Sequence, residues 1–180
     1  MKIRLVILSA FILSAFWMEA VMHANDAEGT LKIKGTSSLH DWESDVEDFE
    51  VDASLDLEKE EGYVNVTVVA ESIKSGKSIM DGKTYDALRT EDYPKISFVS
   101  NSIDVNGNKL VAQGDLTIGG VSRPAEVKAE YQKSGNNISV EGSYSLKMTE
   151  FNIDPPTAMF GTLETGNEVT VVFNMNFNQY

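Results

Sequence analysis

A regular alternation of apolar and polar residues runs along this chain from about residue 30, and it limits the fold more than any other feature. In FEVDASLDL, residues 49–57, Phe49 and Val51 share one face of an extended strand, while Glu50 and Asp52 share the other. The same alternation recurs in segments rich in Val, Ile, Thr, Phe and Tyr, which favour strands. The eight segments are residues 31–33, 49–57, 64–70, 96–98, 110–118, 125–131, 138–148 and 169–177. The sequence therefore predicts eight strands, each with one apolar face.

The connections between these segments differ in length. EKEEG, NGN and SGNN join the second strand to the third, the fourth to the fifth and the sixth to the seventh, and all three suit tight hairpins. The other four connections are longer or richer in apolar residues: LHDWESD, residues 74–94, GGVSRP and residues 150–167. If the strands run up and down, these four connections lie at the same end.

Eight antiparallel strands can close into a barrel, which removes the exposed sheet edges. A sandwich of two sheets would show the same alternation. KTYDALR, residues 83–89, is expected to form one or two helical turns within the second long connection. We therefore expect an all-β, eight-stranded antiparallel barrel with a short helical lid segment.

The N-terminus has the parts of a secretory signal peptide. MKIR is basic, LVILSAFILSAFW is apolar but too short to span a bilayer, and MEAVMHANDA offers small-residue cleavage points. We expect cleavage after Ala24, with Ala20 and Ala27 as alternatives, and thus a signal peptide over residues 1–24 and one domain over 25–180. Because the chain has no cysteine, it can form neither a disulfide nor a lipid-modified cysteine terminus. These features predict a protein of the bacterial periplasm, or one secreted beyond it.

The charge balance argues against one class of partner. The chain has 15 Lys and Arg residues against 28 Asp and Glu residues, a formal net charge of −13. A surface this acidic repels nucleic acid and anionic membrane surfaces. We therefore expect no nucleic-acid partner.

The sequence shows no catalytic constellation. Apart from His23, in the segment expected to be removed, the only histidine is His40, in GTSSLHDWE. A hydrolase needs a nucleophile and a base oriented by a third group, and in a strand Asp41 would point away from His40. Tight zinc sites usually draw on several His or Cys residues, and no glycine-rich phosphate loop is present. We expect no catalytic residue, no metal site and no enzyme activity.

Four blocks of sequence resemble the YceI-like family, in the subgroup with a Leu-His-Asp-Trp opening. They are GTSSLHDWE, SIKSGKSIMDGKTYDALRTEDYPKISFVS, GDLTIGGVSRPAEV and the FNID run before the last strand. The resemblance covers nearly all of the mature chain, and YPKISF and GDLTIGGVSRP are its most specific parts. It implies a secreted bacterial protein with a lipocalin-like antiparallel barrel that holds a polyisoprenoid of the quinone or prenyl phosphate type.

The resemblance also directs attention to the barrel mouth. Where better-known members carry a longer polar and aromatic lid motif, this chain has MDGKTYDALRTED, so the family's head-group contacts do not carry over. Four basic residues near the mouth could meet a phosphate, but the acidic residues interleaved with them favour an uncharged, quinone-like head. These four are Lys74, Lys77, Lys83 and Arg89.

The combined hypothesis is a periplasmic or secreted protein that encloses an isoprenoid lipid for storage or transport, with no other cofactor. A transient partner in the inner or outer membrane and a homodimer stay open. The expected ligand contacts are His40 and apolar or aromatic residues of the mouth, the lid and the upper barrel. They are Leu39, His40, Trp42, Ile79, Met80, Tyr85, Leu88, Phe98, Leu116, Phe151 and Phe160.

Three alternatives stay open at this point. A small eight-stranded outer-membrane barrel also has a signal peptide and alternating connections. It would crowd acidic residues into its lumen, which is costly: Glu50, Asp52, Asp56, Glu126 and Glu130. A barrel filled by its own side chains would have an interaction role instead, and an enzyme would use His40 or a carboxylate pair in the mouth.

Overall fold

One curled antiparallel sheet dominates the computed structural model, which describes residues 22–24, 28–56, 59–158 and 161–178. The twelve strands are β1 Met22–Ala24, β2 Glu28–Ser37, β3 Trp42–Val46, β4 Phe49–Asp56, β5 Glu61–Val69, β6 Ile73–Lys74, β7 Lys95–Asn106, β8 Lys109–Ile118, β9 Val121–Ser134, β10 Asn137–Lys147, β11 Thr157–Ala158 and β12 Leu163–Asn178. Their order is β1-β4-β5-β7-β8-β9-β10-β12-β2-β3-β6, with β11 beside β12. One helix, α1, spans Ser78–Leu88, and 3₁₀ turns lie at Ala70–Ser72 and Met148–Phe151.

The predicted fold class, an all-β antiparallel barrel, is confirmed, but the predicted count of eight strands is wrong. The eight predicted segments fall in the long strands β2, β4, β5, β7, β8, β9, β10 and β12. The additional strands β1, β3, β6 and β11 have only two to five residues each. A period of two is hard to recognise over so few positions, so the pattern did not reveal them.

The apolar faces of the strands point into the barrel. On β4, Val51, Ala53 and Leu55 are buried, whereas Glu50 and Asp52 are exposed. The acidic positions Glu126 and Glu130 on β9 are exposed as well. A membrane barrel needs an apolar band on its outer surface. These four acidic side chains therefore lie outside the lumen in which the outer-membrane alternative would place them, whereas Asp56, the fifth, is buried.

The four longer connections meet at one end of the barrel, as their parity predicted. The Ser38 amide donates to the Glu164 carbonyl oxygen at 2.9 Å, which ties the β2–β3 connection to the start of β12. The Arg89 guanidinium donates to the Gly119 carbonyl oxygen, and Arg123 Nε donates to the Glu150 carbonyl oxygen at 3.0 Å. We call this end the mouth and the opposite end, with the tight turns, the closed end.

Helix α1 is longer than predicted and begins earlier. The prediction placed a turn or two over residues 83–89, whereas α1 has eleven residues and ends where Arg89 adopts a left-handed conformation with φ of 56°. Gly82 disfavours a helix, but Asp81 stabilises its first turn because its carboxylate accepts hydrogen bonds from the Ser75 amide at 2.8 Å and the Ser75 hydroxyl at 2.6 Å. No helix in the described part of the chain is long and apolar enough to cross a bilayer.

Trp42 is held at the mouth by a close backbone approach. It pairs with Gly35 across β2 and β3, and its indole Nε1–H donates to the Thr36 carbonyl oxygen at 3.0 Å. A Cβ atom added to Gly35 would fall well inside contact distance of the indole ring. Only glycine therefore leaves room for the Trp42 ring at this position.

We expect Gly35→Ala to destabilise the protein by about 1–3 kcal/mol, because the Trp42 ring must move and lose its hydrogen bond. Gly82→Ala is the matched control: its new Cβ would meet nothing within 4 Å, and alanine favours a helix by roughly 0.8–1 kcal/mol over glycine. Urea unfolding followed by Trp42 fluorescence measures both changes. Equal effects of the two substitutions would contradict this account of Gly35.

Candidate ligand-binding cavity

The barrel encloses a cavity of about 480 Å³. Small-molecule pockets measure roughly 300–1,000 Å³, so this space suits a ligand. Inward-facing valines on several strands, such as Val66, Val127 and Val171, pack against buried neighbours but are only half-buried, because they also border this space. The alternative of a barrel filled by its own side chains therefore does not fit the structure.

The cavity runs from the mouth towards the closed end. At the closed end its lining consists of buried apolar side chains: Leu55, Ile103, Leu110, Met175 and Phe177. At the mouth it is lined by the β2–β3 connection and by one face of α1. The α1 residues are Met80, Lys83, Thr84, Ala87 and Leu88, whose spacing is that of one helical stripe.

Seven of the eleven candidate contact residues line this cavity together. Leu39, His40 and Trp42 reach it from the β2–β3 connection and the start of β3. Met80 and Leu88 come from α1, and Phe98 and Leu116 are cross-strand partners on β7 and β8.

The structure places three other candidates, Ile79, Phe151 and Tyr85, away from the cavity. Ile79 lies outside the inward stripe of α1 and is 80% exposed. Phe151 is 2% exposed and packs in a second cluster with Leu146 and Val169, which line the cavity whereas Phe151 does not. Phe160 lies outside the described residues.

Tyr85, the third of these candidates, fixes the lid. Its hydroxyl donates to the Glu71 carbonyl oxygen at 2.8 Å and accepts from Lys74 Nζ at 2.5 Å. The Lys74 ammonium also lies 5.0 Å from the centre of the Tyr85 ring. Tyr85 therefore holds α1 against the segment before it and does not face the cavity.

The sequence reasoning missed the deeper cavity wall. Leu31, Val51 and Ala112 line the cavity, as do many other inward-facing strand residues. The alternation marked these positions as apolar but did not distinguish a cavity wall from a packed core. The pattern therefore predicts ligand contacts mostly at the mouth and the lid.

His40 presents one unoccupied nitrogen at the mouth. Its Nδ1 lies 2.7 Å from the Asp41 carbonyl oxygen. A carbonyl only accepts, so Nδ1 carries the hydrogen, and in the neutral ring Nε2 is left as an acceptor. Nε2 has no partner among the described residues. In that part of the chain, no three His, Cys, Asp or Glu side chains come together as a metal site.

The four basic residues near the mouth divide into two pairs. Lys74 is engaged by Tyr85, and Arg89 donates to Gly119 while lying 4.9 Å from the centre of the Tyr93 ring. Lys77 and Lys83 line the cavity and form no ion pair within the residues that the structure describes. Only the second pair is therefore free to contact a ligand.

The family model of the YceI-like domain matches residues 21–177. The chain belongs to the YceI-like family. The UPF0312 protein plu2095 of Photorhabdus laumondii is 32% identical over 100 residues, 51% of this chain and 52% of that protein. Protein YceI of Escherichia coli O157:H7 is 31% identical over 98 residues, 50% and 51% of the two chains. The match thus spans about half the length of these curated relatives.

Solved structures share the fold of this YceI-like chain. Burkholderia cenocepacia BcnA has a TM-score of 0.74 at 20% identity, covering 84% of this chain and 99% of that one. A polyisoprenoid binding domain from Saccharophagus degradans, implicated in plant cell wall breakdown, has a TM-score of 0.67 at 13% identity. That match covers 89% of this chain and 99% of the domain.

Asp81 makes the attachment of the lid depend on pH. The hydrogen bonds from Ser75 hold the pKa of the Asp81 carboxyl below its ordinary value. The folded state therefore gains stability from ionised Asp81 at pH above about 4, the ordinary aspartate pKa, and loses it as the pH falls through the lowered pKa.

We expect Asp81→Asn to lower the free energy of unfolding at pH 7 by about 0.5–1 kcal/mol, because an amide accepts hydrogen bonds less strongly than a carboxylate. The difference from the wild type should shrink as the pH falls below about 4. Urea unfolding at several pH values measures it, with Asp86→Asn at an exposed position of α1 as the control. A difference that does not change with pH would contradict the assignment.

Proposed function

We propose that this YceI-like protein is an exported binding protein that encloses an isoprenoid lipid in its barrel, for storage or transport, and acts by enclosure without catalysis. The cavity of about 480 Å³ carries this proposal, because its walls below the mouth are made mainly of Val, Leu, Ile, Ala and Phe side chains. A branched hydrocarbon chain is the ligand that such walls favour.

The energetics support a lipid cargo. Removing apolar surface from water contributes about 25 cal/mol per Å². A chain of several isoprene units buried in the cavity therefore offsets the loss of translational and rotational freedom on binding. The fold shared with the polyisoprenoid binding domain of Saccharophagus degradans supports the same cargo class.

The location of charge in the cavity supports a head group at the mouth. The charged and imidazole side chains of the lining are His40, Lys77, Lys83 and Glu164, all in or beside the mouth connections. A lipid would therefore place its hydrocarbon chain in the barrel and its polar head between α1 and the β2–β3 connection.

The same residues can hold an uncharged, quinone-like head. The Lys77 and Lys83 ammonium groups can donate to quinone carbonyl oxygens, and His40 Nε2 can accept from the hydroxyl of the reduced form. The Glu164 carboxylate and the acidic chain as a whole oppose a multiply charged phosphate.

The N-terminal sequence supports the same proposal. The basic start, the short apolar stretch and the small residues that follow are typical of a leader for the periplasm or for secretion. An exported carrier can move a lipid through water between membranes, because the barrel keeps the hydrocarbon chain away from solvent.

We expect protein purified without detergent to carry lipids whose masses, measured by native mass spectrometry and organic extraction, differ by isoprene units.

We expect Val66→Phe to lower the affinity for a prenyl quinone at least tenfold, about 1.4 kcal/mol, because the added ring occupies the cavity. Val99→Phe is the matched control, since Val99 lies on the neighbouring strand and is 49% exposed.

Two results would count against this cargo. One is a protein that contains no lipid and stays empty when prenyl quinones and prenyl phosphates are offered. The other is an equal loss of binding in both valine variants, which would mean that the cavity is not the binding site.

We expect the double variant Lys77→Ala, Lys83→Ala to weaken binding of a prenyl quinone roughly 3- to 30-fold and to leave squalene, an isoprenoid without a head group, unaffected. Quenching of Trp42 fluorescence reports binding, because Trp42 lines the cavity. The control is Lys109→Ala, Lys133→Ala, which removes the same charge at exposed positions near the closed end. Tighter binding of a prenyl phosphate than of the quinone, lost in the Lys77 and Lys83 variant alone, would replace the uncharged head with a charged one.

A further inference from the structure

Strand β1 extends the first hairpin of the barrel. Met22, His23 and Ala24 pair with Leu55, Ser54 and Ala53 of β4 in antiparallel fashion. These pairs continue the register of β2 and β3, where Gly35 pairs with Trp42. Ala24 lies eleven residues before Gly35, and its partner Ala53 lies eleven residues after Trp42. In an antiparallel pair these equal separations mean that both pairs belong to one register. β1 and β2 are therefore two parts of one N-terminal strand position in the barrel.

This pairing closes the barrel along the edge of β4. One edge of β4 pairs with β5, and among the described residues its other edge pairs only with β1. β2 pairs with β3 on one side and with β12 on the other. Together, β1 and β2 therefore join the two ends of the curled sheet. Without β1, the backbone N–H and C=O groups of Ala53 and Leu55, which face it, would lose their partners at an open sheet edge.

The opened edge would adjoin the cavity. Ala53 and Leu55 both line it, and their side chains are almost completely buried. Leu55 belongs to the closed end, where the wall must exclude water from a hydrocarbon chain. The position of the N-terminus therefore affects the cavity wall as well as the length of the chain.

The sequence rule for leader cleavage does not distinguish the two nearest sites. Ala20 has Met18 two residues before it, and Ala24 has Met22, so both sites combine a small residue with the same imperfect neighbour. The pairing distinguishes them, because cleavage after Ala24 or Ala27 removes β1 and cleavage after Ala20 retains it. The YceI-like match also begins at residue 21.

We propose that the leader is cleaved between Ala20 and Val21, so that the mature domain keeps β1 and closes its barrel with it. The step is hydrolysis by a leader peptidase, which selects small residues before the cut. Water adds across the peptide bond, Ala20 leaves as a carboxylate and Val21 becomes the new amino terminus. No oxidant, reductant or second substrate is needed.

The direct test is the mass of the exported protein. The full chain is produced in a bacterium with an export pathway, the periplasmic fraction is released by osmotic shock, and the intact mass of the product is measured. A mass that begins at Val21 is the expected result. A mass that begins at Asn25 or Glu28, or one that retains the leader, would overturn the proposal.

A second test separates the strand from chain length. Three proteins are compared: residues 21–180, residues 25–180, and a form in which Gly-Ser-Gly-Ser replaces residues 21–24. Glycine and serine disfavour strands, so this form has the right length but little tendency to form β1. We expect residues 21–180 to unfold at least about 5 °C above the other two forms.

Hydrogen exchange provides a readout that is specific to the pairing. The amides of Ala53 and Leu55, which face β1, should exchange faster in the two forms without β1 than in residues 21–180. If residues 25–180 fail to fold while residues 21–180 fold, that result also supports the structural role of β1. Equal melting temperatures and equal protection at β4 would overturn the structural role of β1. Neither test requires a ligand, so its outcome is independent of the proposed cargo.

Discussion

Continuous antiparallel hydrogen bonding around the barrel is the constraint on which the rest of this structure depends. In a packed protein, side chains from opposite walls meet and hold the walls at a fixed distance. Here inward-facing residues such as Val66 and Val171 border a cavity, so they lack partners on one side and forgo part of their dispersion energy. The hydrogen bonds between neighbouring strands must therefore keep the walls at their distance from one another. A bound hydrocarbon would restore those contacts and stabilise the folded state by mass action.

The mouth shows how polar groups are divided between structure and ligand contact. Hydrogen bonds from the side chains of Tyr85, Lys74 and Arg89 attach α1 to the barrel and to the connection at Gly119. Lys77 and Lys83, which the sequence placed in the same group of candidates, remain available at the cavity. A fixed lid with a few free polar groups can orient a head group while the apolar wall below accepts the chain. The residues that hold the lid are consequently different from those proposed to contact the ligand.

The sequence predicted the long strands and the end at which the long connections meet, because both depend on patterns that extend over many residues. It did not predict β1, β3, β6 and β11, which are too short to show a period. The start of α1 was placed too late because its stabilising contact, from Ser75 to Asp81, is a hydrogen bond that no propensity scale includes. The interior was undetermined for a physical reason: an alternating strand has the same apolar face whether it borders a core or a cavity. Ile79 and Tyr85 were predicted as ligand contacts because they are apolar or aromatic residues of the lid. The helical phase of Ile79 leaves it exposed, and the hydrogen bonds of Tyr85 hold its side chain away from the cavity.

A hollow barrel also makes its N-terminal boundary more important than that of a filled one. In a filled barrel, core contacts would hold an unpaired edge such as that of β4 in place, and the loss of three residues would cost little. In this protein, Ala53 and Leu55 pack in the buried cluster and also line the cavity, and β1 supplies their backbone partners on the side away from β5. In a hollow barrel suited to a hydrocarbon cargo, closure along β4, beyond the β2–β3 pairing, thus depends on a short strand. That dependence links the site of leader removal to the ability of the mature protein to hold its ligand.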